Sequence, residues 1–359
     1  MRRLEHDLLL RCASAWWQPE SEPGLRSLLR AELNWDVVLD LAEQHCILPL
    51  VYWSLSGLDR PGVPLPVMNT LASAFRTNAV WSMRLASELT RLVGALQADG
   101  VPTIAWKGPA SALAAYGHLG LRMFSDLDLL VNPSHFETAA SRLRGYGLRA
   151  DVVCADLRVQ SFDGADNLVV ELHWAPMPWC LAADLRTNDL QCEVLSIGGR
   201  PVAHPLPADL LVLLCAHGGK HSWSRLQWIA DIAALIRTRS DLDWARVGAL
   251  AFQTGTRRLL SVGLMLARQF MKVKLPPAAE LFLADVVATQ LADTIGRQMF
   301  LTHRPLRSRR DRVSDLVLQL KFRERLRDRV RCALGVPLDS INSWSRAYAR
   351  RRGTIGKSR

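Results

Sequence analysis

Two acidic side chains separated by one residue, Asp126 and Asp128, are the clearest candidates for chemistry in this sequence. They lie in the segment Phe124-Ser-Asp-Leu-Asp-Leu-Leu-Val131, whose alternation predicts a half-buried strand. Residues i and i+2 of a strand project to the same face, so both carboxylates lie together while Leu127 and Leu129 face the core. Such a pair repels itself unless a cation neutralises it, and hard oxygen ligands suit Mg²⁺. A single Asp-x-Asp is also common at exposed strand ends.

A third carboxylate, Glu171, lies in a second predicted strand, Asn167–Trp174. His173 shares its face, whereas the two apolar neighbours face the other way. If this strand runs beside the first, three carboxylates can hold two metal ions about 3.5–4 Å apart, the arrangement used for in-line displacement at phosphorus. The alternative is that Glu171 occupies an exposed strand position.

A candidate phosphate-binding turn precedes the acidic pair. Lys107 and Gly108 follow the strand-forming run 101–106 and open a predicted helix. Glycine allows close approach of the backbone, and free amides at a helix N-terminus attract phosphate. The ammonium group of Lys107 adds a point charge, whereas Pro109 lacks an amide hydrogen and removes one donor.

Further basic and imidazole side chains are candidates for the same site. Arg122 lies four residues before Asp126, where it would meet phosphate or pair with a nearby acid at the surface. His217 and His221 have the i, i+4 spacing of a helical zinc site. The two glycines between them predict that the helix, expected over roughly 208–217, ends there, and no Glu or Cys supports a zinc site.

The elements that position these residues predict an α+β fold. Apolar residues recur at helical spacing before residue 100 and again from residue 207, whereas strands and helices mix over 101–174. We therefore expect a small mixed β-sheet core flanked by N-terminal and C-terminal helical regions. The predicted units are a helical region 1–66, a core 67–205, a helical domain 206–302 and a basic tail 303–359.

Composition excludes several classes of protein. An apolar fraction of 49% excludes a disordered chain, and the absence of Gly-x-Ser-x-Gly and of a complete Walker motif removes two common site types. The seven cysteines are dispersed without a Cys-x-x-Cys pair, which favours reduced thiols over a disulfide scaffold or zinc site. Since no apolar run approaches about 20 residues and no signal-peptide block is present, we expect a cytoplasmic protein without a transmembrane segment.

The net charge of +11 belongs to the C-terminal end of the chain. Residues 300–359 contain 17 basic and 5 acidic side chains, so the remainder of the chain is close to neutral. Such a tail could contact nucleic acid, through residues 304–352, or an acidic lipid surface or an anionic substrate. It could equally form a solvated helix face.

Three segments taken in order resemble a known family. Trp106-Lys-Gly-Pro-Ala-Ser-Ala-Leu113, Leu121–Val131 and Glu171-Leu-His-Trp174 are similar to the uncharacterised bacterial nucleotidyltransferases of the polymerase-β-like nucleotidyltransferase superfamily. The likeness continues through His217–Asp231 and covers roughly residues 30–275. The resemblance implies a nucleotidyltransferase core with a metal-dependent site.

The resemblance also implies roles for individual residues. Asp126, Asp128 and Glu171 would bind two Mg²⁺ ions, with Mn²⁺ as the alternative metal, and Glu171 would orient or deprotonate the acceptor hydroxyl. The residues implied to contact the nucleotide are Lys107, Gly108, Arg122, His217, Lys220 and His221. Asp231 would orient one of His217, Lys220 and His221. Many superfamily members have Gly followed by Ser or Gly at the phosphate turn, where this chain has Lys-Gly-Pro.

The implied reaction is transfer of a nucleoside monophosphate from an NTP, such as ATP, to a hydroxyl group with release of pyrophosphate. The acceptor would be a small molecule, a sugar, a peptide or RNA. Two alternatives remain open at the level of sequence. One is an RNA-directed transferase that uses the basic tail, and the other is a non-catalytic module that binds nucleotide or docks a partner.

Overall fold

Helices form the N-terminal part of the chain in the computed structural model, which describes residues 4–17, 23–58, 62–182, 184–300 and 309–335. Their bounds are α1 (Leu4–Ala15), α2 (Pro23–Leu28), α3 (Trp35–Gln44), α4 (Leu48–Ser56) and α5 (Leu65–Ala98). Proline occupies the first turn of both α4 and α5, where its missing amide hydrogen leaves no helical bond unmade. The helical character predicted for this region is confirmed.

A mixed sheet of seven strands follows within the described residues, in the order β3-β4-β5-β2-β1-β7-β6. The strands are β1 (Thr103–Ala105), β2 (Leu127–Val131), β3 (Arg149–Cys154), β4 (Val159–Asp163), β5 (Val169–His173), β6 (Cys192–Ile197) and β7 (Arg200–Pro205). Three helices lie between them, namely α6 (Gly108–Tyr116), α7 (Phe136–Gly145) and α8 (Trp179–Ala182). The α+β class predicted from the sequence is confirmed.

The pairing of β2 with β5 decides where the acidic residues meet. The two strands run parallel, and Asp128 lies opposite Glu171 in the register. The alternate residues, including Leu129 and Leu172, are fully buried in a core that also contains side chains of α5. The expectation that the Glu171 strand runs beside the Asp128 strand is therefore confirmed.

The C-terminal helices pack into the larger hydrophobic core together with α1–α4. They are α9 (Pro207–Lys220), α10 (Leu226–Thr238), α11 (Trp244–Thr254), α12 (Arg257–Met271), α13 (Pro277–Glu280) and α14 (Val286–Gln298). Across the described residues, no helix is both long and apolar enough to cross a membrane.

Helix α9 does not end at its glycine pair, so that part of the prediction was wrong. The helix continues through Gly218 and Gly219 to Lys220. A Cβ on Gly218 would lie 2.3 Å from the Trp223 ring, and one on Gly219 would lie 2.1 Å from the Leu259 side chain. These glycines are therefore required by close packing around the end of α9 rather than by termination of the helix.

Part of the predicted basic tail folds back onto the C-terminal helices. Within 303–359 the structure describes α15 (Arg309–Phe322) and α16 (Leu326–Gly335), whereas residues 304–308 and 336–352 of the candidate nucleic-acid segment lie outside the described residues. Arg325, Arg327 and Arg331 all form ion pairs with Asp184. These three arginines thus pair with an acidic side chain of their own chain.

Burial of His204 on β7 predicts a pH-dependent stability. The residue is fully buried, and this burial lowers its pKa from 6.5 to about 4. Below pH 6.5, His204 is protonated in the unfolded chain but stays neutral in the folded chain. Stability is therefore lost as the pH falls from 6.5 to about 4. We expect this histidine to lower the free energy of unfolding by about 1.4 kcal/mol per pH unit in that window.

Urea unfolding of wild type and His204→Gln between pH 7.5 and 4.5 measures this contribution. The variant should show a shallower loss of stability with acidification, while buried His45, whose pKa is also lowered to about 4, keeps its share of the slope. Equal slopes in the two proteins would contradict the assignment.

Candidate active site

Asp128 lies at the centre of a buried polar cluster. Its side chain, on β2, is only 2% exposed. Lys107 Nζ donates to Asp128 Oδ1 at 2.6 Å, and His173 Nε2 lies 3.1 Å from the same oxygen. Strand pairing fixes these partners, because β1 leads into Lys107 and β5 carries His173 two residues after Glu171. One carboxylate oxygen therefore contacts two nitrogen groups from neighbouring elements.

Both carboxylates of the paired strands are ionised at neutral pH. Burial by itself raises the pKa of Asp128, but the charge of Lys107 and the hydrogen bond with His173 outweigh it and hold that pKa well below its ordinary value. Burial also raises the pKa of Glu171, but the hydrogen bond with His173 lowers it, and the resulting pKa is about 2. Two adjacent negative charges, one buried and one partly buried, favour binding of a cation.

The donor set around these charges includes an imidazole. Ligand atoms of Asp128, Glu171 and His173 lie within 4.8 Å of one another, and His173 Nε2 is 3.4 Å from Glu171 Oε2. Two carboxylates fit Mg²⁺ and Mn²⁺, whereas an imidazole nitrogen is a ligand more typical of Zn²⁺, Cu²⁺, iron and Ni²⁺. Sequence reasoning placed His173 on the correct face but did not identify it as a donor, although its i+2 spacing from Glu171 was the available signal.

Asp126 is placed differently from Asp128. It precedes β2, is only partly buried, and does not belong to the three-residue donor group found among the described residues. Its charge nevertheless reaches the site, because it raises the pKa of Lys220. Because β2 begins at Leu127, strand alternation does not place the Asp126 side chain beside that of Asp128. The role of Asp126 as a metal ligand remains a prediction.

Gly108 allows the turn that carries Lys107 to reach the acidic strand. It begins α6 with a φ of +57°, and a Cβ at this position would lie 3.2 Å from the carbonyl oxygen of Asp126. Both the backbone angle and the close approach favour glycine. The close approach seen in the structure is thus between two protein segments, and phosphate contact by Gly108 remains a prediction.

Arg122 lies in the interior, paired with an acid. Its side chain is 5% exposed, and Arg122 Nε donates to Asp231 Oδ2 at 3.0 Å. The hydroxyl of Tyr116 donates to Asp231 Oδ1 at 2.9 Å. The ion pair foreseen as an alternative for Arg122 is present, although buried, and the described hydrogen bonds of Asp231 come from these two residues rather than from a histidine.

The end of α9 forms the helical side of the site. The His217 ring meets Trp106 edge to face at 6.0 Å, and His221 stacks on Trp228 at 4.8 Å. Burial, followed by the charge of Lys107, lowers the pKa of His217 well below 6.5, so this imidazole is neutral.

Lys220 shares the electrostatic environment of the carboxylates. Burial and the repulsion of Lys107 lower its pKa to about 8, against the opposing attraction of Glu171, Asp128 and Asp126. Lys220 therefore keeps most of its positive charge at pH 7. The structure brings the predicted residues of the sheet and of α9 into one polar region.

Replacing Gly108 with alanine tests the turn. The substitution forces a Cβ into a left-handed conformation against the Asp126 carbonyl, and we expect a loss of about 1–2 kcal/mol of unfolding free energy. Gly94→Ala is the matched control, because no neighbour lies within 4 Å of its Cβ position on α5. This control should gain about 0.5–1 kcal/mol in denaturant unfolding. A Gly108→Ala variant as stable as the control would show that the turn does not require glycine at this position.

Removal of Asp231 tests the buried ion pair. Asp231→Ala leaves the buried Arg122 charge without its described partner, so we expect a loss of about 3–5 kcal/mol of unfolding free energy. Asp241→Ala is the control, since this exposed carboxylate pairs with Arg239 and should change stability by no more than about 1 kcal/mol. Similar losses of unfolding free energy in both variants would show that the buried Arg122–Asp231 pair contributes no more to stability than an exposed pair.

Comparison with known proteins identifies the family of this chain. Residues 31–272 match a family model described as an uncharacterised nucleotidyltransferase, and no curated protein matches the chain. Among solved structures, an antigenic nucleotidyltransferase-like protein from Paracoccidioides brasiliensis is similar at 16% identity and a TM-score of 0.38, over 54% of this chain and 95% of that one. Because the family model spans more than half of the chain and includes the acidic cluster, this chain belongs to the uncharacterised nucleotidyltransferase family.

Proposed function

We propose that this chain is a metal-dependent nucleotidyltransferase that transfers a nucleoside monophosphate from an NTP to a hydroxyl acceptor. The observation that carries the proposal is the meeting of two ionised carboxylates, Asp128 and Glu171, on adjacent parallel strands. A lysine lies in contact with the first and a histidine with both. Family membership supplies the class of reaction.

The donor set supports the proposed divalent ions. Asp128, Glu171 and His173 would hold a metal ion, and Asp126 is the further carboxylate that would complete a site for two Mg²⁺ or Mn²⁺ ions. Bound divalent ions neutralise charge on the phosphate oxygens and stabilise the leaving group during displacement at phosphorus.

Cationic side chains of the chain would hold the triphosphate. Lys107 contacts Asp128 from the start of α6, and Lys220 lies at the end of α9, where the charges of Asp128 and Glu171 raise its pKa. Burial and then the positive charge of Lys107 lower the pKa of Lys220, and a polyanion between the two ammonium groups would relieve their repulsion. His217 and His221 would line the same cleft, and the buried Arg122–Asp231 pair would hold the loop before Asp126 in place.

The proposed chemistry is a single displacement. The acceptor oxygen forms a bond to the α-phosphorus, the bond between that phosphorus and the β-bridging oxygen breaks, and pyrophosphate leaves with the electron pair. Glu171 would accept the hydrogen bond of the acceptor hydroxyl and take its proton as the new bond forms, before releasing it to solvent. The other residues orient the phosphates and stabilise charge.

Replacement of Asp128 tests this function. We expect each α-labelled NTP that binds wild type to require Mg²⁺ or Mn²⁺. Asp128→Asn should weaken this binding and lower the rate of label transfer by about 100-fold or more, the loss typical for removal of a charge-stabilising group. Calorimetry measures binding, and label incorporated into offered hydroxyl acceptors measures transfer. Asp163→Asn is the control, because this acid lies exposed on β4 of the same sheet.

Three outcomes separate the hypotheses. Metal-dependent binding and transfer that are lost in Asp128→Asn support the enzyme. Metal-dependent binding without transfer to any offered acceptor favours a nucleotide-binding module. Binding that is independent of metal, or equal in Asp128→Asn and Asp163→Asn, contradicts the proposed site.

A further inference from the structure

We propose that Lys107 is the resident cation of the carboxylate site. Its ammonium group neutralises Asp128 until a divalent ion binds, and the side chain then moves to contact the triphosphate. The same lysine would thus act in turn as a substitute for the metal and as a ligand for substrate. The inference rests on the proposed function, because it takes the cluster around Asp128 to be the metal site.

The contact between Lys107 and Asp128 is buried and short. Nζ lies 2.6 Å from Oδ1, and the two side chains are 11% and 2% exposed. The ammonium group also lies 4.2 Å from the centroid of the Trp106 ring, which attracts a cation through its face. A carboxylate this deeply buried needs a positive or hydrogen-bonding partner, and Lys107 supplies the full charge.

The position of this contact conflicts with metal binding. Lys107 Nζ and His173 Nε2 both contact Asp128 Oδ1, and the same His173 nitrogen lies 3.4 Å from Glu171 Oε2. A divalent ion binds a carboxylate oxygen at about 2.0–2.2 Å, so an ion between the three donors would lie close to Nζ. Two cations on one oxygen repel strongly in a buried site. In this proposal a metal ion that binds Oδ1 displaces Lys107 from that oxygen.

In this proposal the released ammonium group turns toward Lys220 at the end of α9. Lys107 is the N-cap residue of α6, and its four-carbon side chain can rotate without movement of the strand below it. The positive charge of Lys220 is near enough to act on the same carboxylates. Two lysines that approach each other require an anion between them, and a triphosphate provides three charged groups.

The substitution Lys107→Gln should have opposite effects on two ligands. In the absence of nucleotide, we expect Mn²⁺ alone to bind about tenfold more tightly than to wild type, because the competing charged hydrogen bond is removed. With Mn²⁺ present, we expect inorganic tripolyphosphate to bind about tenfold more weakly, because a charged contact is lost. Calorimetry measures both affinities. General damage to the site would weaken both ligands together.

Matched variants define the controls. Lys274→Gln removes the same charge from an exposed position and should alter neither affinity. Lys107→Arg keeps the cation and should keep Mn²⁺ affinity near that of wild type. If Lys107→Gln is too unstable for calorimetry, Lys107→Met keeps the apolar stem against Trp106 and provides the same comparison.

The outcomes distinguish this inference from the function on which it rests. Failure of wild type to bind Mn²⁺, or equal Mn²⁺ binding by Asp128→Asn, would overturn the metal site and the inference together. If wild type binds Mn²⁺ through Asp128 but Lys107→Gln binds it equally or more weakly, Lys107 remains a partner of the occupied site and only the inference fails.

Discussion

The negative charge of Asp128 is the constraint around which the acidic face of the sheet is organised. The strand that carries it is flanked by β1 and β5, so the carboxylate has little access to water and must be neutralised by protein groups. Lys107 enters from one neighbouring strand and His173 from the other. The same geometry that satisfies the charge also assembles the donors of a metal site.

The helical regions hold the approach to this strand. Two helices bond the segment before β2. Asn78 of α5 donates to the carbonyl oxygen of Gly120, Gln227 of α10 donates to that of Met123, and Asp231 of α10 accepts from Arg122. Each of these bonds is buried or partly buried. The position of the start of β2 therefore depends on packing against α5 and α10. A substitution that shifts either helix would also shift the carboxylates.

The C-terminal segment has a comparable role on the other side of the site. Gln319 of α15 donates to the carbonyl oxygen of Gly219, at the end of α9 where the last carbonyls of a helix lack internal partners. The same turn carries His217 and Lys220. The described part of the basic tail thus supports the helical side of the cleft, while Arg325 and Arg331 pair with Asp184.

The sequence alone determined the local features of this site. Alternation placed Asp128 and Leu129 on opposite faces of a strand, and i+2 spacing placed His173 on the face of Glu171, because side-chain direction in a strand depends only on neighbouring residues. The tertiary structure decided the rest, since strand order, burial and distant partners depend on packing between segments. It set Asp128 opposite Glu171, buried Arg122 against Asp231, and extended α9 through glycines that sequence reasoning took for a helix end.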